Sequence, residues 1–380
     1  MWHTICLYEP SFSSYNREVV SLLIEGIIRS RTVNLKEVVC NLPCKASSDS
    51  LYRRFQRFFM KEMDLCGIGI FILETFLKTA LRSLPRPLNL YLSIDRHEWH
   101  FGSKVNNLLV LHLYEPITGI DFPIQVIDLD RRGNSSTIER GDIIESVLPV
   151  LRPFISEGKV KATVLGDREF FSHYWRDQLV INGFDYKIRV KKDFKIYNNI
   201  NVGTVFSGLS IGENKDFTLE QGRLVITRLT EESDRRDSCL AVLTNDTESS
   251  IEEVFADYGV RWKIERSFFN LESNGWNLKR THLKAHKRIE MMFNILLLCY
   301  YCAVLFGYML AQLRKVPFKK HGYRAITLFL SGRRIIAEMY IRDMIPFFKK
   351  ICSRVEFLIR KAMSIEFVYS VECGESQGVV

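Results

Sequence analysis

The stretch LNLYLSIDRHEWHFG, residues 88–102, decides how this chain is read. Its apolar residues alternate with polar ones up to Ile94, the two-residue period of a strand with one buried face. The run LYLSID ends on Asp95, which places a carboxylate in or at the end of that strand. Two further strands follow after short turns, NNLLVLHLYEP (106–116) and DFPIQVIDLD (121–130). A helix is expected over STIERGDIIESVLPVLRPFI (136–155), starting near Ser136 or Thr137. KVKATVLGD (159–167) reads as a fourth strand and ends on Asp167. FFSHYWRDQLVING (170–183) is a helix and FDYKIRVKK (184–192) a fifth strand. Three antiparallel-looking strands, then helix, strand, helix and strand, describe an α/β mixed sheet.

Upstream, Pro85 and Pro87 break the pattern and mark a boundary near residue 86. Residues 16–62 read as three short helices, REVVSLLIEGIIRS, NLKEVVCNLP and SSDSLYRRFQRFFMKEM. The third, with Ser48 or Asp49 as its N-cap, sets Arg53, Arg54, Arg57 and Lys61 beside Leu51, Phe55, Phe58 and Phe59. Small helical domains with a basic last helix are frequent DNA readers. A solvated basic face on a structural bundle is the alternative.

Downstream, residues 191–250 are rich in Asn, Gly, Thr and Ser, with strand runs in VGTVFSGLSI, RLVITRL and SCLAVLT, and read as a β-rich insertion. YGVRWKIERSFFNLES (258–273) is then a helix. Read at 3.6 residues per turn, Tyr258, Arg261, Glu265, Phe269 and Glu272 share one face. The chain ends in basic helical segments. These readings give five regions: 1–85 helical, 86–190 the first part of the sheet domain, 191–250 the insertion, 251–313 its second part with the Glu265 helix, and 314–380 basic and helical.

With 47% hydrophobic and 26% charged residues the composition is that of a globular protein, not a disordered one. A formal charge of +9 suits a polyanionic partner. The nine cysteines are scattered and odd in number, which points to reduced thiols in a cytoplasm. Cys299 and Cys302 form a CxxC without a second pair at zinc-site spacing, so they are expected to be buried structural thiols. Residues 291–313 are apolar enough to raise a membrane span. Their single occurrence after the charged THLKAHKRIE favours a buried core helix. No cationic segment followed by an apolar core opens the chain, so no leader is expected.

Asp95 and Asp167 on strand ends and Glu265 on a helix are 72 and 98 residues apart in turn, the wider gap holding the insertion. Three convergent carboxylates cannot all be buried as unpaired anions. Divalent cations resolve that conflict, since Mg²⁺ is held by a few carboxylates plus waters and phosphate oxygens. Two such ions serve phosphoryl transfer.

The stretches IDRHEWHFG, LGDREFF, YGVRWKIERSFFNLES and GWNLKRTHLK resemble, in order, the DDE transposases of bacterial insertion sequences. The similarity is to the branch with a Tyr-x2-Arg-x3-Glu-x6-Lys signature. SLYRRFQRFF and HGYRAITLFL are similar to that group too. The resemblance implies an RNase H-like core with a β-insertion. It implies cleavage of DNA at transposon ends, with transfer of the freed 3′-hydroxyls into target DNA by a homodimer in the bacterial cytoplasm, at the nucleoid. It implies two Mg²⁺ ions, with Mn²⁺ as a substitute, held by Asp95, Asp167 and Glu265. Tyr258 and Arg261 are expected to contact DNA phosphates, and Arg53, Arg54 and Arg57 to bind the transposon's terminal inverted repeats.

The chain departs from the pattern at the signature lysine, where it has Glu272. Lys279, two helical turns further along, is not expected to substitute for it. A glutamate there would repel phosphate, which keeps open a catalytically impaired or repurposed transposase that only binds DNA. None of the five tryptophans falls within 191–250, where some relatives place one to stack on a flipped base; Phe206 and Phe217 are the aromatic candidates there. His97 is expected to neighbour the site rather than to ligate metal.

Overall fold

The computed structural model describes residues 13–197, 200–229, 238–313, 317 and 324–341, and among these four helices precede the sheet. Helix α1 (Ser14–Ser30) is capped by Ser13, α2 (Leu35–Cys40) by Asn34 and α3 (Ser48–Phe59) by Ser47, each side chain accepting an amide that lacks an intrahelical partner. The fourth, α4 (Gly67–Ser83), is not expected from the sequence. It has no side-chain cap and two early glycines, and it is helical because Phe71, Ile72, Leu73, Phe76 and Leu77 are all buried in the core.

Strands β1 (Leu88–Phe101), β2 (Lys104–Tyr114) and β3 (Asp121–Asp128) form an antiparallel meander. The single helix expected next is two, α5 (Thr137–Glu145) and α6 (Leu148–Ser156), with a break at residues 146–147. Pro149 sits in the first turn of α6, where no amide is required. Strand β4 (Val160–Gly166) lies parallel to β1, and after α7 (His173–Ile181) strand β5 (Asp185–Arg189) lies parallel to β4. The resulting order β3-β2-β1-β4-β5, three strands antiparallel and two parallel, is the RNase H-like arrangement.

The insertion extends this sheet. Strands β6 (Lys195–Tyr197) and β7 (Ile200–Asn201) pair apart from it. Residues expected as a strand form instead a short helix, α8 (Val202–Ser207), started by Asn201, whose side chain accepts the Thr204 amide. Strands β8 (Asn214–Leu219), β9 (Gly222–Arg228) and β10 (Cys239–Thr244) then continue the sheet past β5, because β10 pairs antiparallel with it. The full order is β3-β2-β1-β4-β5-β10-β9-β8.

Helices α9 (Ile251–Gly259) and α10 (Trp262–Phe269) return the chain to the sheet. A π-helical turn over Asn270–Trp276 and a 3₁₀ turn over Leu278–Arg280 lead to α11 (His286–Leu313). The most apolar window of α11 is 94% buried inside the protein, as expected of a core helix, and Cys299 and Cys302 are buried on it. It packs on β3, on α4 and on α12 (Leu328–Ile341). Gly307 and Gly332 permit that last contact: a Cβ on Gly307 would meet the Leu328 carbonyl oxygen at 1.8 Å, and one on Gly332 the Ala303 carbonyl oxygen at 1.7 Å. Most of the region 314–380 lies outside the described residues, as do residues 321–323 at the start of HGYRAITLFL.

Candidate active site

Strands β1 and β4 run parallel in the register Ile94 opposite Gly166, so Asp95 and Asp167 follow at adjacent positions on neighbouring strands. β4 stops there while β1 continues to Phe101, and the Asp167 carbonyl accepts the Phe170 amide in a turn. Arg261, in the link between α9 and α10, reaches over this edge. Its Nη1 donates to Asp95 Oδ2 at 3.0 Å and its Nη2 to Glu265 Oε1 at 2.9 Å. Two of the three carboxylates thus share one guanidinium.

Asp167 belongs to the same field. Burial alone would lower Arg261, yet Tyr258, Asp95, Asp167 and Glu265 around it raise it above the ordinary arginine range. Burial pushes the Asp95 carboxyl up to about 6, against the pull of Arg261 and the Arg96 amide and with help from Glu169 and Glu265. Asp167 Oδ1 is buried without a hydrogen-bond partner, 3.9 Å from Arg189 Nη1.

The face inferred from helical spacing is redistributed. Amides 260, 261, 263 and 264 bond to carbonyls three residues back, so α9 and α10 are joined by a tight turn rather than by one continuous α-helix. Tyr258 and Arg261 are each only 6% exposed, whereas Phe269 is 52% exposed. In this arrangement Arg261 is an internal counter-charge, and Tyr258 packs with Val225, Val242 and Val254, its hydroxyl pushed up to about 12 by burial. Neither side chain is presented at the surface for a phosphate.

Glu272 is corrected more sharply. Its Oε1 lies 2.9 Å from His97 Nε2 and 2.7 Å from Lys279 Nζ. The π-helical turn and a left-handed Asn277 (φ 50°) fold residue 279 back onto residue 272, where a continued helix would have carried it two turns away. Burial would raise the Glu272 carboxyl, but His97 and Lys279 outweigh it and hold it below the usual range. His97 stands two positions along β1 from Asp95 and stacks on Phe268 at 4.6 Å.

Two supports are not apparent from the sequence, although Arg96, Glu169, Tyr91 and Lys187 stand within the stretches quoted above. Arg96 holds Glu169 with both prongs of its guanidinium, which ties the loop after Asp167 to β1. Beneath α9, the buried Lys187 ammonium is shared by Asp246 and Asp257, and Tyr91 donates to Asp257 at 2.6 Å. That network pins the residue preceding Tyr258. Among the N-terminal arginines, Arg53 and Arg57 are exposed, but Arg54 is committed to Glu18 at 2.8 Å. In the insertion Phe206 is buried beneath Lys192 and Arg228, so it offers no stacking face.

Among the described residues, no three His, Cys, Asp or Glu side chains are already gathered as a metal-binding group. The donors nonetheless fit a hard divalent cation: three carboxylates, one with an unpartnered buried oxygen and one lifted by burial.

The Transposase DDE domain family matches residues 94–302, more than half of the chain and spanning all three acidic residues. The chain belongs to the DDE transposase family. No curated protein matches this family member. Among solved structures it is similar to the piggyBac transposase synaptic complex with hairpin DNA, at 10% identity over 90% of this chain and 78% of that one, with a TM-score of 0.43. It is also similar to the Marinitoga piezophila Argonaute in complex with 5′ OH guide RNA, at 13% identity over 59% and 34% of the chains, with a TM-score of 0.24. At these scores neither likeness bears on the substrate or the roles of residues in this DDE-family protein.

Proposed function

We propose that this protein cleaves the DNA ends of a bacterial insertion sequence and joins the freed 3′-hydroxyls to target DNA. The observation that carries this reading is the single Arg261 guanidinium joining Asp95 to Glu265 beside Asp167, within the span of the family match. Asp95, Asp167 and Glu265 would hold two Mg²⁺ ions, with Mn²⁺ as a substitute. When bound, such ions help activate the attacking oxygen and neutralise the leaving one. Arg261 holds the carboxylates together against their repulsion, and Arg96 with Glu169 keeps the Asp167 loop in place. Residues 1–85 would bind the terminal inverted repeats, with Arg53 and Arg57 on the exposed face of α3. The working form would be a homodimer bridged by two ends, at the nucleoid of a bacterial cytoplasm.

The Glu272 charge is answered by Lys279, which supports an active enzyme over a DNA-binding protein without catalysis. The test uses full-length protein and a duplex carrying the inverted repeats that flank its gene. Mg²⁺-dependent nicking at the repeat ends is expected, with loss of nicking but retained binding in Asp167→Ala. Undiminished cleavage by purified Asp167→Ala would sink the assignment.

A further inference from the structure

We propose that residues 279–288 and the exposed face of α3 form one phosphate-binding track for duplex DNA, leading from the carboxylate site to the N-terminal helices. This rests on the functional reading above and names the surface that reading leaves unspecified. The segment KRTHLKAHKR holds five Lys or Arg residues and no acid. It begins at the site, since Lys279 pairs with Glu272, whose carboxylate lies 2.9 Å from His97, two positions along β1 from Asp95. It ends against the N-terminal helices, across a cleft of about 660 Å³ lined by Lys36, Tyr52 and Gln56 on one side and by His282, Lys284 and Arg288 on the other.

The two walls are held to each other. Asn34 Nδ2 lies 3.2 Å from His282 Nε2, and the His282 ring meets Phe101 edge-on at 5.5 Å, fixing it to the end of β1. Arg53, Gln56, Arg57 and Met60 are exposed at helical spacing, so the two arginines flank the residues that line the cleft.

The acids nearby are largely used. Glu37 pairs with Arg280 at 3.4 Å, Glu62 with Arg288 at 3.0 Å, and Glu290 with Lys287 at 3.7 Å. Lys36, Lys284, Arg53 and Arg57 have no acidic partner among the described residues. Unpaired cations spread along a polar surface suit a regularly charged backbone, and phosphate contacts of this kind position a duplex without reading its sequence.

The test is a Lys36→Gln/Lys284→Gln double variant of the full-length protein. Binding of a labelled inverted-repeat duplex and of a scrambled duplex is measured by anisotropy across a salt series, with thermal melting as the folding control. The expected result is weaker binding of both duplexes alike. The slope of log affinity against log salt should shrink by about 0.9 for each phosphate that the variant no longer neutralises, with melting unchanged. Wild-type affinity and slope in the double variant would overturn the track while leaving the transposase reading intact. A wild-type protein that binds neither duplex would overturn both. Should the double variant melt early, Lys284→Arg, which keeps the charge, must restore the slope, and failure to do so also overturns the track.

Discussion

Arg96 grips Glu169 in a bidentate pair, Nε to Oε1 at 2.7 Å and Nη2 to Oε2 at 2.8 Å. These two residues stand next to Asp95 and two positions after Asp167, so the pair fixes the loop after Asp167 against the strand that carries Asp95. Glu169→Gln keeps the size of the side chain and removes the charge that makes the fork strong. Residues that orient metal-binding carboxylates typically affect activity or metal affinity by 10–100-fold, and a loss of roughly that size is expected here. Single-turnover nicking and Mg²⁺ titration on one preparation would show it. An unchanged Mg²⁺ dependence would mean that the pair only staples a loop.

Glu272→Lys should not improve cleavage. It would set a second cation against Lys279 and take away the carboxylate 2.9 Å from His97. The expected cost is about 1–3 kcal/mol, the size seen when a partly buried polar contact is broken. Adding Lys279→Glu restores opposite charges and should recover part of the melting temperature. A Glu272→Lys protein that melts like wild type and cuts faster would show that the pairing is incidental.

Divalent metal should stabilise the protein, because an ion that binds only the folded state raises its melting temperature by linkage. Mg²⁺ added to the wild type is expected to raise melting, and Asp167→Ala should lose the increment. Calorimetry with and without chelator checks this independently of catalysis. Equal increments in the two proteins would place the ion elsewhere.

His112 on β2 is fully buried, and its ring is held down to about 3 by burial, with Lys263 adding to the effect. The unfolded ring takes up its proton near pH 6.5. Between these values the unfolded state binds the extra proton, so the ring's contribution to stability is complete above about 6.5 and is lost as pH falls toward 3. His112→Leu removes the titrating group at similar volume and should flatten the acid side of the melting-against-pH curve. Parallel curves for the two proteins would exclude His112 as a source of acid sensitivity.

Most of the strands, the two aspartate positions and the buried character of α11 are legible in the chain itself. Period-two alternation and long apolar runs are local signals, and a strand's partners change them little. The order of the acidic residues is legible for the same reason, since Asp95 and Asp167 each close an apolar run. Helix α4 is not, because its start carries no cap and only burial by the sheet makes it helical. The same holds for α8, where an Asn201 cap overrides a strand-like composition.

Residues 258–279 show where local signals stop. Helical spacing puts Tyr258, Arg261, Glu265, Phe269 and Glu272 on one face, and it carries Lys279 away from Glu272. A tight turn at 260–264 and a π-helical turn at Asn270–Trp276 change the register twice. A Cβ on Gly275 would meet the Asn270 carbonyl oxygen of the same turn at 2.1 Å, so glycine lets the widened turn close on itself. The sequence by itself determined which charges this protein carries and on which elements. Only the tertiary structure decided which of them neutralise one another, because ion pairing depends on distances of about 3–4 Å between side chains far apart in the chain.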